Sequence, residues 1–149
     1  MSKNTVREVL EQHNLMHIAC IDQEGNPCVR GVDYAIDEEN FIYFITFKQT
    51  RKVEQIRNNQ NISFAIDHDC GSMEELQKLK YIKGAGKASI VTNPEEAQKG
   101  VGLIMQKFPY LAGLPGKPED MAVIKVEMKE VLLTDNTISF GHTEPVSMN

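Results

Sequence analysis

The stretch Phe41-Ile42-Tyr43-Phe44-Ile45-Thr46-Phe47, followed by Lys48-Gln49-Thr50-Arg51-Lys52, decides how the rest of the chain reads. Its first seven residues are aromatic and β-branched, the composition of a strand. Apolar side chains occupy both alternating positions, whereas a half-solvated strand would alternate with polar ones. One face therefore fills a barrel interior. The other meets a helix, a ligand or a second subunit. A short loop then leads into a helix over 51–58, with Val53 and Ile56 on one side and Asn58-Asn59-Gln60-Asn61 ending it.

Towards the N-terminus, 15–21 is a mostly apolar run bounded by Asp22-Gln23-Glu24-Gly25-Asn26-Pro27. This reads as strand and turn, with a second strand over 28–36 and another turn at Asp37-Glu38-Glu39-Asn40. Thr5-Val6-Arg7-Glu8 has capping-box spacing. It predicts a helix capped by Thr5, with Val6, Val9 and Leu10 as its stripe, ending near His13-Asn14. Towards the C-terminus, 62–66 is a strand with Ile62, Phe64 and Ile66 on one face. Residues 70–78 read as polar and irregular. A long strand over 79–91 contains Gly84 and Gly86, which predicts a bulge or a sharp bend. Asn93-Pro94-Glu95-Glu96 is a strong helix start, and Ala97, Val101, Ile104 and Phe108 share the face that follows. Core packing is the expected role of Phe108. Prolines and glycines from Pro109 to Pro118 mark a loop. A strand over 121–128 follows, then 130–133 and 137–140 as a bent strand or hairpin. Strands joined by tight turns pair antiparallel, and no βαβ rhythm is sustained. The expected fold is mainly β with flanking helices: a small antiparallel barrel of six to seven strands.

The chain has 149 residues, the length of one ordinary domain, so 1–149 is expected to form a single unit. Hydrophobic residues make up 41% and charged residues 25%, both ordinary for a globular protein. A net charge of −5 argues against nucleic acid as a partner. Cys20, Cys28 and Cys70 are odd in number and irregularly spaced, which is not a disulfide framework. No signal peptide is visible, and no apolar run nears the ~20 residues that span a bilayer. The expectation is a reduced, cytoplasmic protein without a membrane partner.

The chemistry concentrates at Thr50-Arg51-Lys52. A helix N-terminus carries partial positive charge, so two cations there are mildly repelled. A docked anion removes the conflict. A phosphate accepts from free backbone N–H groups, the Thr50 hydroxyl and the Arg51 and Lys52 side chains. The plain alternative is that both cations point into water. Arg30 sits in an otherwise apolar strand, where a buried cation needs a partner. That partner is either an anionic ligand or a neighbouring carboxylate. His13 and His17 are four apart, but the helix is expected to end between them, and three protein ligands are normal for catalytic zinc; no metal site is assigned. His68-Asp69-Cys70 reads as a loop. No nucleophile elbow, Walker loop or dinucleotide fingerprint is present.

Three pieces in order carry a family resemblance: Gly25-Asn-Pro-Cys-Val-Arg-Gly-Val32; Tyr43-Phe-Ile-Thr46 with Thr50-Arg-Lys-Val53; and Lys83-Gly-Ala-Gly-Lys-Ala88. From about residue 15 to 88 the chain resembles the pyridoxamine 5′-phosphate oxidase-like FMN-binding split barrels, most of all their short general-stress-protein branch. The resemblance implies a split barrel, FMN as cofactor, and a homodimer with the flavin at the subunit interface. It implies that Arg30, Arg51 and Lys52 are phosphate-binding cations and Thr50 a phosphate-contacting hydroxyl. It further implies that Arg30, Gly31, Val32 and Asp33 run along the isoalloxazine ring, with Ile45 and Thr46 beside the ring and ribityl chain. The implied function is an FMN-dependent oxidoreductase using a small-molecule substrate or electron donor such as NAD(P)H. A non-catalytic flavin carrier or a stress or redox sensor is the alternative. The true oxidases carry a C-terminal segment rich in Arg and Trp; this chain has no Trp and ends soon after Phe140, so pyridoxamine phosphate oxidation is not expected. Tyr81 stands where those oxidases carry a Gln.

Overall fold

The computed structural model describes residues 2–148. Eight strands and four α-helices follow in the order α1 (Ser2–Gln12), β1 (Leu15–Ile21), β2 (Pro27–Asp33), β3 (Ala35–Ile36), β4 (Ile42–Phe47), α2 (Arg51–Asn58), β5 (Asn61–Ile66), α3 (Met73–Lys78), β6 (Lys80–Ile90), α4 (Pro94–Lys107), β7 (Met121–Asp135) and β8 (Thr143–Val146). Every pairing is antiparallel, and the sheet runs β2-β1-β5-β6-β7-β4-β3, with β8 added to β7. The mainly β architecture with flanking helices is the one the sequence predicts.

The two edges of this sheet, β2 and β3, are consecutive in sequence and joined by Tyr34 alone. The single strand expected over 28–36 is therefore two. Up to Asp33 it pairs with β1; from Ala35 it pairs with β4. The switch turns the sheet back on itself, and Tyr34 is the corner. Its ring is fully buried, and its hydroxyl donates to the carbonyl of Leu10 at 2.7 Å.

Alternation sends Met16, Ile18 and Cys20 of β1, Ile42 and Phe44 of β4, and Ile62, Phe64 and Ile66 of β5 into one core. Val6, Val9 and Leu10 of α1 close that core at one side. The outer face of β4 is covered by α4, whose Ile104, with Phe108 just after the helix, packs with Ala35 and Ile45. A helix thus answers what the doubly apolar strand meets. The approach is close: a Cβ on Gly100 would stand 2.8 Å from Val123 and 2.9 Å from Tyr43. Burial of Phe108 to 2% exposure confirms its core role.

Four further expectations need correction. Helix α1 starts by Ser2, so Thr5 lies inside it and is not its cap. Ser2 extends the helix because its hydroxyl donates to Glu144 of β8 at 2.7 Å, which ties the first turn to the sheet. Residues 70–78 are not irregular throughout. Ser72 caps α3 by accepting from the Glu75 N–H at 3.2 Å, but the helix buries no residue and so leaves no apolar pattern. β7 runs unbroken for 15 residues through the point where two shorter pieces were expected. The last hairpin uses 143–146, not 137–140: Asp135 and Asn136 accept from the N–H groups of Thr137 and Gly141, at 2.9 and 2.8 Å, and turn the chain there. The bulge between Ala85 and Gly86 falls where the glycines predict it.

No described helix is long and apolar enough to cross a membrane.

Candidate functional site

Helix α2 packs against β1 and β6, and reaches Thr46 near the end of β4 through Lys52 and Arg30 in the middle of β2 through Gln55. On β2, Cys28, Arg30 and Val32 share the inward face, while Val29 and Gly31 point out. On β4, Thr46 follows Ile42 and Phe44 inward and is 7% exposed. Lys52 reaches from α2 to donate to Thr46 Oγ1 at 2.8 Å. Thr50 stands at the N-cap, yet its hydroxyl donates to the Phe47 carbonyl at 3.0 Å and caps no helix N–H. The Thr46 and Thr50 hydroxyls are 3.5 Å apart. Arg30 donates through Nη1 to Oε1 of Gln55 at 3.1 Å.

The electrostatics of this cluster are one-sided. Burial, then the positive charge of Arg30, push the Lys52 ammonium below the ordinary lysine range; only Cys20 acts the other way. Among the described residues, no carboxylate forms an ion pair with Arg30, Arg51 or Lys52. Two half-buried cations, two hydroxyls and the uncapped start of a helix thus share one place. Each donor type suits a phosphate oxygen. A cluster that disfavours the Lys52 charge without a ligand is one that an anion stabilises.

The remaining predicted residues lie around this cluster. Arg51 is exposed and turns away from Lys52, lining a cleft of about 290 Å³ with Asp22, Glu24 and Glu54. Its charge is among the smaller influences that hold Asp22 below the usual carboxylate range, after the Asn26 backbone N–H. Ile45 faces α4, on the opposite side of β4 from Thr46. Gly31 is exposed, Val32 is buried in the core and Asp33 is half-buried. The structure brings together Arg30, Thr46, Thr50 and Lys52, and leaves the side chains of Arg51, Ile45 and Asp33 on other faces.

Gln55, Cys20 and Cys28 belong to the cluster and were not anticipated. Gln55 is 7% exposed, and its Nε2 donates to Cys28 Sγ at 3.6 Å. A signal existed for it: three residues after Lys52 on a helix, it must share the face on which Lys52 reaches inward. The cysteines could have been paired only by knowing the register of β1 on β2.

Asp33 has a cationic neighbour on the far side, Lys107. That ammonium donates to the His13 carbonyl at 2.6 Å and sits 4.1 Å above the Tyr34 ring. Burial pushes it down to about 8, against the opposing charges of Asp33 and Glu11. The depressed native value has a sign. Between about pH 8 and the ordinary lysine value of 10.5 the unfolded chain binds a proton that the native protein does not, so stability contributed at this group rises with pH across that window. Urea unfolding of the protein beside a Lys107→Met variant measures it. The variant is the more stable at pH 7, and its advantage fades as pH climbs from 8 to 10.5.

Residues 2–135 match the family described as pyridoxamine 5′-phosphate oxidase. General stress protein 26 of Bacillus subtilis is 27% identical over 147 residues, covering 98% of this chain and 94% of that protein. A heme-binding protein from Mycobacterium smegmatis superposes with a TM-score of 0.81 at 14% identity, over 99% of this chain but only 58% of that one. An FAD-binding protein from Mesorhizobium loti superposes with a TM-score of 0.71 at 16% identity, over 89% of this chain and 94% of the other. At these identities the structural likenesses are likenesses of fold.

Proposed function

Since this chain belongs to the pyridoxamine 5′-phosphate oxidase family, we propose that it is an FMN-binding flavoprotein and an FMN-dependent oxidoreductase. One observation carries the reading: Arg30, Lys52, Thr46 and Thr50 converge at the uncapped start of α2 with no carboxylate among them. This donor set fits the dianionic phosphate that distinguishes FMN from riboflavin. Arg51, at the first position of α2, lies one residue away and adds long-range attraction for that phosphate. The backbone of Gly31 to Asp33 on β2 and of Ile45 on β4 runs on from the cluster and is the ground on which the rest of the cofactor lies, while the Ile45 side chain itself faces α4. Bound flavin supplies hydride and electron transfer. The chain supplies binding, orientation and charge, which accounts for the lack of an acid–base triad in the sequence.

In this reading the protein is a cytoplasmic homodimer. The outer faces of β1, β2, β5, β6 and β7 form a mostly apolar groove of about 510 Å³, lined by Ala19, Val29, Ala65, Ala85 and Leu132 with His17, Ser63, Lys83 and Glu130 among them. Val29 is 69% exposed there, and a second copy of the chain covers it. The alternative within the same site is a carrier or a stress or redox sensor, which the likeness to a general stress protein favours.

Anaerobic mixing of the FMN-loaded protein with NADH or NADPH separates the two. Bleaching of the flavin, followed by turnover with a quinone or nitroaromatic acceptor, is the expected result. Binding without turnover assigns the carrier or sensor role. A protein that stays colourless in added FMN overturns both.

A further inference from the structure

Cys20 and Cys28 are direct partners in the β1–β2 register. Asp22 N donates to the Asn26 carbonyl at 2.9 Å two residues further along, so alternation makes Cys20–Cys28 another hydrogen-bonded pair with both side chains on one face. Such pairs set their Cα atoms roughly 5.5 Å apart, within the roughly 4.4–6.8 Å that a disulfide spans. Cys20 is fully buried, Cys28 partly exposed, and both are free thiols. The amide of Gln55 bridges this pair to the cationic cluster: Nε2 donates to Cys28 Sγ at 3.6 Å, while Oε1 accepts from Arg30 at 3.1 Å.

We infer that Cys20 and Cys28 are a peroxide-oxidisable dithiol that sets the position of Arg30 through Gln55. The half-exposed Cys28 thiolate attacks a peroxide: its S–O bond forms, the O–O bond breaks, and the leaving oxygen departs as water or alcohol after taking a proton. Cys20 then attacks the sulfenic sulfur. The S–S bond forms, the S–O bond breaks, and water leaves with the Cys20 proton. Two thiols lose two electrons and the peroxide gains them. A small thiol reductant reverses the step by exchange. Burial pushes the Cys20 thiol up, which suits it to the second step and not the first. Bond formation draws Cys28 Sγ towards β1 and away from Gln55. The buried amide loses a partner, reorients, and releases Arg30. The consequence for cofactor affinity rests on reading Arg30 as a phosphate ligand; the thiol chemistry does not.

The test uses full-length, fully reduced protein carrying Cys70→Ala, treated with hydrogen peroxide. Mass spectrometry reads the thiols, and phenylglyoxal labelling reads the freedom of Arg30. The expected result is loss of two hydrogens, a linked peptide containing Cys20 and Cys28 that dithiothreitol cleaves, and Arg30 labelling raised about three-fold or more, the worth of one lost hydrogen bond. Gln55→Leu should raise labelling in the reduced protein and remove its response to peroxide. Advance of Cys28 to sulfinic acid while Cys20 remains alkylatable would overturn the pair. A disulfide that leaves Arg30 labelling unchanged would overturn the coupling. No readout involves flavin, so a failure of FMN binding is seen separately.

Discussion

Arg30→Gln combined with Lys52→Met lowers FMN affinity by about 100-fold or more, leaves riboflavin affinity unchanged, and makes the ligand-free protein more stable. The first effect follows from removing two charge-assisted contacts to phosphate, each worth about 1.5–3 kcal/mol. The second follows because riboflavin lacks the phosphate. The third is what separates a binding site from a structural feature. Burial and the Arg30 charge already disfavour the Lys52 ammonium, and neither cation has a carboxylate partner among the described residues. The replacements are close in volume, so no large cavity confuses the comparison. Fluorescence titration with each flavin and urea unfolding of the apoprotein give the three numbers. A double variant that binds FMN as before, or one that is less stable, contradicts the assignment.

Gly84→Ala destabilises the fold by about 4 kcal/mol or more, at the upper end of what single substitutions do. A Cβ at this position would lie 1.9 Å from the Glu130 carbonyl oxygen and 3.0 Å from the Phe64 ring. The first obstacle is backbone of the paired strand and has no rotamer to change. Relief requires β6 to part from β7 beside the bulge at Ala85/Gly86, where the longest ladder of the sheet runs. Thermal unfolding should show a Tm lowered by about 10 °C for a chain of this size. Gly102→Ala is the matched control. It sits on an exposed face inside α4 with nothing within 4 Å of its Cβ position, and helix propensity alone predicts a gain of about 0.5–1 kcal/mol. Equal effects from the two changes would refute the steric account.

Much of this was legible in the sequence because the signals were local. The 41–52 stretch, the 15–21 run, the helix start at Asn93-Pro94 and the strand glycines each carry their own pattern, and the structure follows them. Where the reading failed, the decisive partner was distant in sequence. α1 begins early because Ser2 holds Glu144. The 28–36 strand divides because β4, and not β1, receives its last two residues. α3 escaped notice since it buries nothing and so has no stripe to detect. At the site, Arg51 and Lys52 after Thr50 were visible as an electrostatic oddity at one helix start, and Arg30 as a cation in an apolar strand; of the two helix cations only Lys52 reaches the cluster. That Thr46 meets Lys52, and that the neighbour of Arg30 is the neutral amide of Gln55 in place of an acid, depends on how β2, β4 and α2 converge. No local pattern encodes that convergence.

A parallel titration of the apoprotein with FMN, riboflavin and hemin, followed by absorbance and fluorescence, tests the phosphate site itself. The expected result is one FMN bound per chain, riboflavin weaker by about 100-fold for want of the phosphate contacts, and no matching uptake of hemin. Equal affinity for FMN and riboflavin, or hemin bound in preference to both, would contradict it.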